Sequence, residues 1–444
     1  MRGAAVGVTV RPDVLSLAAG GAFDGRQRHP SKNRRVTRVA VTTFEDRLYA
    51  ALREAGMADV PERFSIALVP QVIPRGLLTA IETFIGVFDR VTTRPAWQEA
   101  MAAGGPAIAQ QRRTEVCFFS AWDFHLPPQC PDRFQLIECN DNGSGMMFAA
   151  ILNRLYYELS GIGERRPIEA PPSVAVFGQQ VLDMIRTEAR AVSELPSPGL
   201  VLVLDDEESL RKGKFRHEHM LLRDLCRSAG WRAETGSPAE TAWERGQLLC
   251  RGERVAVVIN RSTDFFWEGD DFSALRSAYA EGDVIVEPNP FTYATRSDKR
   301  LLEPLSRPIH DVGLGIEPDE RALLSVHVPE TRLLRPENVD ELCREKDQWF
   351  FKPCHGFASH GILTGAQVGH TRLRRLIKKD VAYVAQRRAP KSRVEASDGA
   401  SLWTDLRVWA YRGKRVLLSG RASCSPDSID LAAPGGWIPT YGAA

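Results

Sequence analysis

Long apolar runs, paired cysteines and a strong net charge are all missing from this chain of 444 residues. No apolar stretch approaches the ~20 residues that a helix needs to cross a bilayer, so we expect no membrane-spanning segment. The eight cysteines are scattered without a CxxC pair, which argues against a zinc site or a disulfide framework and favours a reducing cytoplasm. The net charge of +2 creates no general attraction to nucleic acid or to membranes.

What is present is an ordinary globular composition, with 43% hydrophobic and 26% charged residues, enough for two or three units with their own cores. The first 40 residues differ, because they are rich in glycine and arginine and contain RQRHPSKNRRVTR at Arg26–Arg38. We interpret residues 1–40 as a disordered tail or as the translation of an upstream start codon. An arginine-rich transit peptide is the alternative.

The most informative stretch is FQLIECNDNGSG, Phe134–Gly145, preceded by WDFHL at Trp122–Leu126. The pattern predicts two antiparallel strands joined by the proline-rich loop PPQCPD. Side chains two apart in a strand share a face, so Asp123, Glu138 and Asn140 are expected to project together as hard oxygen ligands. Mg²⁺ usually takes one or two carboxylates together with nucleotide phosphates, which implies an ATP-using enzyme. The alternative is a strand-end carboxylate followed by an ordinary NDNG turn.

Regular elements are predicted on both sides of this hairpin. A helix is expected after Thr43, with Asp46 three residues later and a stop at Gly56, and another over Pro74–Val91. Helices are also predicted over Gly145–Leu159 and Gln179–Val192. A hairpin that turns at Arg412-Gly413 is predicted over Leu402–Ser423.

Two buried-strand runs, LVLVL at Leu200–Leu204 and AVVIN at Ala256–Asn260, flank a helical stretch at His217–Ser228. This order predicts parallel strands with a right-handed crossover, and hence a Rossmann-like unit. Ligands gather at the carboxyl ends of such strands, and an arginine there can hold a substrate carboxylate through two hydrogen bonds. The polar residues expected at these ends are Asn260, Arg261, Asp264 and Asn289.

Two lysines are candidates for phosphate binding, which needs fixed positive charge and nearby backbone N–H groups. Lys299 precedes an amphipathic stretch. Lys352 lies on a strand just before Gly356 and Gly361, whose small size lets a backbone approach a phosphate. The spacing does not match the P-loop pattern, and the alternative for each lysine is a solvated surface position.

Other polar groups are interpreted as structural. In the triplet His217-Glu218-His219, the histidines are two apart and do not share a helix face, so we expect a solvated face. His355 and His360 are expected in a surface loop, with contact to phosphate or substrate as the alternative. Cys354 is expected to pack in the interior.

Taken in order, the motifs DFHL, IECNDNG, NRSTDF, PNPFTYATRSDKRLL, FFKPCHGFASHGI, YVAQR, TDLRVW and PGGWIP resemble those of ATP-grasp ligases. More narrowly, the chain resembles the circularly permuted branch that includes glutathionylspermidine synthetases, in which the metal ligands precede the nucleotide lysines. The resemblance extends from about Phe118 to the C-terminus. It implies an α/β (α+β) fold, namely a circularly permuted ATP-grasp fold with a Rossmann-like unit.

The resemblance implies that the chain binds ATP and Mg²⁺, and it assigns roles by position. The glycine loop would fold over the phosphates, Gln386 would lie in or near the strand lining the adenine slot, and Arg407, near Asp405, would face the phosphates or an acyl phosphate. The residues implied are, for the metal, Asp123, Glu138 and Asn140; for the nucleotide, Lys299, Lys352, Gly356, Gly361 and Gln386; and for catalysis, Arg407 and Arg261.

The reaction implied is activation of a carboxylate to an acyl phosphate, followed by attack of an amine or thiol. Small-molecule or peptide-like acids and amines would be the substrates. The chain departs from the family pattern at Ala121, where glutathionylspermidine synthetases have an arginine, and at the glycine-poor segment Phe357–His360. The alternatives are a nucleotide-binding protein that has lost ligase activity and a phosphotransferase of the same fold. No Cys-His amidase domain is found ahead of the ligase region.

This interpretation divides the chain into four parts. They are the tail at 1–40, a helical region with the metal-binding hairpin at 41–195, the Rossmann-like unit at 196–295, and the nucleotide-binding region at 296–444.

Overall fold

A mixed α/β arrangement of several β-sheets and surrounding helices is seen in the computed structural model. It describes residues 43–60, 62, 64–113, 116–192, 200–308, 312–356, 361–379, 381–396, 399–427 and 431–444, which fall within one compact unit, Thr43–Ala444. The tail predicted for residues 1–40 lies outside this set, and the unit boundaries predicted at 195 and 295 stay predictions. None of the described helices combines the length and apolarity needed to cross a membrane.

The helices lie mostly where the apolar periodicity predicts them. The capping box of Thr43 and Asp46 is present, and the second helix begins and ends within one residue of its predicted bounds. The helix predicted from Gln179 begins five residues earlier. In chain order the helices are α1 Phe44–Glu54, α2 Arg75–Thr92, α3 Pro95–Ala103, α4 Met146–Ser160, α5 Ile162–Arg165, α6 Val174–Val192, α7 Glu207–Lys212, α8 Arg216–Ser228, α9 Ser273–Glu281, α10 Pro290–Thr292, α11 Leu302–Ser306, α12 Pro318–His327, α13 Val339–Arg344 and α14 His370–Ile377.

The strands are short in the first half of the chain and longest in the C-terminal hairpin. In chain order they are β1 Gln71–Ile73, β2 Ser120–His125, β3 Gln135–Asn140, β4 Leu200–Leu204, β5 Ala233–Gly236, β6 Thr241–Glu244, β7 Gln247–Cys250, β8 Glu253–Asn260, β9 Ile285–Glu287, β10 Thr331–Leu333, β11 Trp349–Pro353, β12 Leu363–Thr364, β13 Tyr383–Arg387, β14 Ser392–Glu395, β15 Ser401–Tyr411, β16 Lys414–Ser423, β17 Gly436–Ile438 and β18 Thr440–Gly442.

A central antiparallel sheet in the order β17-β16-β15-β2-β3 supports the candidate site. The predicted antiparallel pairing of β2 with β3 is confirmed. The predicted hairpin of β15 and β16 is also present. Its turn residues Arg412 and Gly413 both have positive φ, 47° and 72°, as a tight two-residue hairpin turn requires.

One face of the central sheet is apolar and packs on α2. Phe88 meets Trp122 edge-to-face at 4.6 Å, and Phe84 meets Phe124 at 5.9 Å between ring centroids. The even-numbered residues of β15 that share this face, such as Leu406, are fully buried. Because strand side chains alternate, burying this face leaves the polar residues of β2, β3 and β15 on the opposite one.

Two further sheets flank the polar face. The predicted parallel pairing of β4 with β8 is present, and β5 and β9 extend it as parallel neighbours in the order β5-β4-β8-β9. The second sheet has the order β10-β13-β11-β12 and is antiparallel. Both sheets contribute residues to a cleft over the central one.

Candidate active site

A cleft of about 1180 Å³ lies on the polar face of the central sheet. Its floor comes from β2, β3, β15 and β16. One wall comes from β11 and β13, and the other from the carboxyl ends of β4 and β8 and from α7 and α8. Nine of the ten candidate residues line this cleft. They are Asp123, Glu138, Asn140, Arg261, Lys299, Lys352, Gly356, Gln386 and Arg407.

Strand register explains why the floor residues meet. Asp123 lies directly opposite Glu138 on β3 and opposite Arg407 on β15. Asn140 follows Glu138 by two residues, opposite Ala121. Directly paired residues of adjacent strands point to the same face, so the predicted convergence of Asp123, Glu138 and Asn140 on one face is present.

Asp123 is held by two arginines. Arg407 donates from Nε to Oδ1 at 2.6 Å and from Nη2 to Oδ2 at 2.7 Å, and Arg421 donates from Nη2 to Oδ2 at 2.8 Å. Burial alone would raise the pKa of Asp123, but the two guanidinium charges outweigh it and hold the pKa below its usual range. Asp123 is therefore a charged anchor for both arginines.

Arg421 was not identified from the sequence. Its backbone N–H and its guanidinium both donate to Asp405, which is 1% exposed. Arg421 thus lies between two carboxylates on the cleft floor. Burial alone would lower the pKa of its guanidinium, but the charges of Asp123 and Asp405 outweigh burial and raise the pKa above its usual value, so the charge is permanent.

Glu138 is the more accessible carboxylate, with a side chain that is 25% exposed against 3% for Asp123. Its Oε2 lies 3.3 Å from Nζ of Lys299, and its Oε1 accepts a hydrogen bond from the Asn140 amide at 3.0 Å. Burial raises the pKa of Glu138, but Lys299 and other cations lower it below its usual value on balance. Glu138 is ionised at neutral pH.

The donor set can be compared with what Mg²⁺ needs. Among the described residues, no group of three Asp, Glu, His or Cys side chains is placed to hold a metal ion. Mg²⁺ does not require one, because it commonly takes one or two carboxylates and completes its shell with phosphate oxygens and water. Glu138 and the free Oδ1 of Asn140 suit that role, and Oδ1 of Asp123, which accepts a single hydrogen bond, is a third oxygen.

Lys352 and Gln386 lie on adjacent strands, β11 and β13. Lys352 donates to Oε1 of Gln386 at 2.5 Å, and Gln386 donates to the backbone oxygen of Ile137 at 3.2 Å. Burial lowers the pKa of Lys352 to about 8, against the attraction of Glu138. Both side chains are at most 5% exposed. Lys352 is therefore not a solvated surface residue, which was the alternative interpretation for it.

Lys299 is also buried, at 5%, and its Nζ donates to the backbone oxygen of Gly356 at 3.0 Å. This contact fixes one end of the predicted glycine loop beside Glu138. Gly361, at the other end, has a φ of +75° and lies next to Ile362, which lines the cleft. Residues 357–360, including His360, lie outside the described set, so the predicted closure of this loop stays a prediction.

The predicted solvated face at His217–His219 is wrong for two of its three residues. Glu218 and His219 are 1% and 2% exposed. Glu218 accepts from the backbone N–H of Gly145 at 3.0 Å, at the start of α4, and Arg261 donates to it at 2.5 Å. The residue pattern fails here because α8 is covered on one side by α4 and β4, a contact that helical spacing does not reveal.

Arg261 lines the cleft, but its guanidinium is already engaged. Besides Glu218, it donates to the backbone oxygen of Asn142 at 2.6 Å, while the Asn142 amide donates to the Arg261 oxygen at 2.7 Å. Of the other predicted strand-end residues, Asn260 and Asn289 are buried and Asp264 caps a turn through Glu268 N–H. Arg261 joins the β3–α4 loop to the parallel sheet.

His355 and Cys354 lie close to this region. His355 is 3.6 Å from Asp298 and packs against the ring of Phe266 at 4.8 Å, so it is part of a polar and aromatic cluster. The predicted packing of Cys354 is confirmed, because its side chain is fully buried. Burial raises the pKa of its thiol well above the usual value, far from that of a nucleophile.

Comparison with known proteins gives structural matches only. Neither a family model nor a curated protein matches the sequence. A glutathione synthetase-like effector (GSS30) from Globodera pallida, in its apo form, has 10% identity and a TM-score of 0.57 over 89% of this chain and 96% of that one. A proposed gamma-glutamylcysteine synthetase from Methylobacillus flagellatus KT has 12% identity and a TM-score of 0.44 over 82% and 87%.

The ATP-grasp ligase PsnB, in complex with a minimal precursor, has 13% identity and a TM-score of 0.30 over 56% of this chain and 91% of that one. At these identities the likeness to the effector establishes the fold and no activity. The chain therefore has a mixed α/β fold similar to that of the effector, in agreement with the α/β class predicted from the sequence.

Proposed function

We propose that this chain is an ATP- and Mg²⁺-dependent ligase that joins a carboxylate to an amine or thiol through an acyl phosphate. The proposal includes a circularly permuted ATP-grasp fold whose parallel sheet is the Rossmann-like unit. It rests on one observation, the charge pattern of the cleft. On and around its floor, five of the cationic side chains that line the cleft lie with three carboxylates. The cations are Lys299, Lys352, Lys391, Arg407 and Arg421, and the carboxylates are Asp123, Glu138 and Asp405.

This pattern suits a polyphosphate better than a neutral ligand. The excess of positive charge is concentrated where Lys299 and Lys352 converge on Glu138. The lowered pKa of Lys352 reflects a buried cation that lacks sufficient negative charge, and an anionic phosphate would supply it. Glu138 and Asn140 would hold Mg²⁺, with Asp123 as a third ligand. When bound, the metal would neutralise phosphate charge.

The chain's own groups would act by position and charge. Arg407 and Arg421, fixed by Asp123 and Asp405, would stabilise the negative charge that develops on the transferring phosphoryl group. A substrate carboxylate oxygen would attack the γ-phosphorus, and the bond from that phosphorus to ADP would break. The amine nitrogen would then attack the acyl carbon, phosphate would leave with the C–O bonding electrons, and the nitrogen would lose a proton.

Arg421 also bears on the departure at Ala121. The family arginine two residues before Asp123 is absent, and the fully buried Ala121 supplies no charge. Arg421 brings a guanidinium to Asp123 from β16 instead. This favours the ligase over the inactive nucleotide-binding protein.

The test has two stages. Mg·ATP is expected to raise the thermal unfolding temperature of the wild type, and Glu138→Gln is expected to lose the Mg²⁺-dependent part of that rise. Release of ADP and phosphate is then measured against pooled carboxylic acids and amines. ATP binding without turnover would support the inactive alternative, a phosphorylated product without an amide would support the phosphotransferase, and no nucleotide binding would refute all three.

A further inference from the structure

The cleft has an end beside β4 and α8, lined by Asp205, Asp206 and Glu208 and by Lys212 and Lys214, that the proposed ATP site does not use. Asp205 follows the last residue of β4, and His219 lies in the first turn of α8. Both line the cleft and are buried, with 6% and 2% of their surfaces exposed. Nε2 of His219 lies 3.4 Å from Oδ2 of Asp205. The two side chains thus form a buried polar pair facing the same cavity as Glu138 and Lys352.

Among the described residues, no Lys or Arg side chain lies within ion-pair distance of this pair. Burial lowers the pKa of His219 to about 3, so its imidazole is neutral. Burial raises the pKa of Asp205 to about 7, against the smaller opposing effect of the Arg261 charge. The neighbouring Arg261 is committed to Glu218 at 2.5 Å.

The pair also has unused hydrogen-bonding capacity. Oδ1 of Asp205 accepts from the N–H of Asp206 at 2.8 Å, which leaves Oδ2 facing His219. Nδ1 of His219 is buried and has no hydrogen-bond partner among the described residues. A buried polar atom without a partner costs free energy, and a ligand that donates hydrogen bonds and carries positive charge would satisfy the Asp205 carboxylate.

The end of the cleft beside β4 and α8 adjoins the proposed phosphate site. The N–H of Arg261 donates to the backbone oxygen of Leu204 at 2.8 Å, directly before Asp205. Arg261 in turn bonds Asn142, two residues after Asn140. A continuous set of contacts therefore runs from Asp205 through Arg261 to the candidate metal ligands, along one cavity.

We infer that Asp205 and His219 form the subsite for the protonated primary amine of the acceptor substrate. This assignment rests on the proposed ligase function and names where the amine is held before it becomes the nucleophile. The carboxylate of Asp205 accepts hydrogen bonds from the ammonium group and balances its charge. Before attack the ammonium group gives one proton to that carboxylate, which frees the nitrogen lone pair. The neutral His219 adds no positive charge beside the ammonium group.

The test uses the full chain and three small probes in isothermal titration calorimetry at neutral pH. They are 1,4-diaminobutane, 1,4-butanediol and the fully N-methylated diammonium ion, with and without Mg²⁺ and a non-hydrolysable ATP analogue. The diamine is expected to bind. The other two probes are not, because the diol lacks charge and the methylated ion lacks N–H donors. Equal binding of all three probes by the wild type, or no binding of the diamine, would overturn the assignment.

Two variants localise the binding. Asp205→Asn is nearly isosteric and is expected to weaken diamine binding about ten- to hundredfold. Asp224→Asn removes the same charge from an exposed position on α8, where the side chain is 54% exposed, and is expected to change nothing. Unchanged diamine affinity in Asp205→Asn would also refute the assignment. If that variant does not fold, the comparison of the three probes on the wild type still tests the assignment.

Binding of the ATP analogue keeps the two proposals separate. Asp205→Asn is expected to retain the Mg²⁺-dependent analogue binding of the wild type. Loss of amine binding with analogue binding intact supports the subsite. A wild type that binds the analogue but discriminates none of the probes refutes the subsite alone, and one that binds no analogue refutes the ligase.

Discussion

Arg407 holds Asp123 through one edge of its guanidinium, with 2.6 Å from Nε to Oδ1 and 2.7 Å from Nη2 to Oδ2. Two parallel hydrogen bonds between ions are the strongest arrangement available to this pair. Because Arg421 adds a third bond to the same carboxylate, Asp123 determines where two cations stand on the cleft floor.

Replacing Asp123 by asparagine is expected to lower the free energy of unfolding by about 3 kcal/mol, because two guanidinium groups that are only 11% and 18% exposed lose their shared counter-charge. Urea denaturation measures the change. Glu138→Gln is the control, since its more exposed carboxylate has less to lose. The Mg²⁺-dependent part of ATP binding is expected to fall further in Glu138→Gln than in Asp123→Asn. The reverse order would identify Asp123 as the principal metal ligand.

Lys352 gives the site a pH dependence whose sign follows from its pKa of about 8. Below that value the lysine is charged and attracts phosphate. Above it the lysine is neutral until an anion restores the proton. ATP affinity is therefore expected to fall between about pH 7 and pH 9, by up to roughly tenfold per pH unit above the pKa, as measured by calorimetry.

Two substitutions separate Lys352 from other titrating groups. Lys352→Arg keeps its charge over this range and is expected to flatten the profile. Lys352→Met is expected to weaken ATP binding at every pH and to flatten the profile as well. A wild-type slope that survives in both variants would assign the titration to a different residue.

Gly145 ends the loop between β3 and α4, and its backbone requires glycine. Its φ is +93°, and a Cβ atom there would lie 2.5 Å from the ring of Trp437. Gly145→Ala is expected to destabilise the fold by about 2 to 4 kcal/mol, the sum of backbone strain and overpacking. Gly230→Ala is the matched control, because Gly230 has a φ of +80° with open space around it. This variant is expected to lose only the stability that backbone strain costs. Equal losses in thermal unfolding would exclude a clash with Trp437.

The sequence predicts the floor of the site well, because strand alternation and short-range order determine it. A loop of ordinary length separates Asp123 from Glu138 and Asn140. Within β3, Glu138 and Asn140 are two residues apart, which suffices to put them on one face. The core behind them was also predictable. Phe84 and Phe88 recur at helical spacing in α2 and are completely buried.

Arg421 could not be predicted, because a β-bulge changes the register of its hairpin. Counting outward from the turn, where Tyr411 pairs with Lys414, would put Gly420 opposite Asp405 and turn Arg421 to the apolar face. A shift between Trp409 and Ala410 puts Arg421 opposite Asp405 instead. A one-residue slip reverses every side chain beyond it, and nothing local in the sequence indicates this one.

The burial of Glu218 and His219 was missed for a different reason. Helical spacing identifies the apolar stripe of α8, but these polar residues are covered by contacts distant in sequence. Gly145 of the β3–α4 loop and Arg261, directly after β8, both bond Glu218, and β4 brings Asp205 to His219. Only the tertiary arrangement of three segments makes this face an interior one.

The ion pair between Arg261 and Glu218 offers a direct measure of that arrangement, because both side chains are 1% exposed. Glu218→Gln is expected to cost about 3 to 5 kcal/mol by leaving Arg261 buried and unpaired. Adding Arg261→Met to it is expected to recover at least about 2 kcal/mol, since the unpaired charge is removed. The recovery of unfolding free energy is expected to be partial, because Arg261→Met also removes the hydrogen bond to the backbone oxygen of Asn142.

The exposed pair of Arg227 and Glu234, with side chains 44% and 42% exposed, provides the reference for this double-mutant cycle. Its coupling energy is expected to be below about 1 kcal/mol, as for surface ion pairs in general. Urea denaturation of the four proteins of each cycle gives both couplings. Equal couplings would mean that the Arg261–Glu218 pair is hydrated. In that case Arg261 would be free to hold a substrate carboxylate, the role that its place at the end of β8 first indicated.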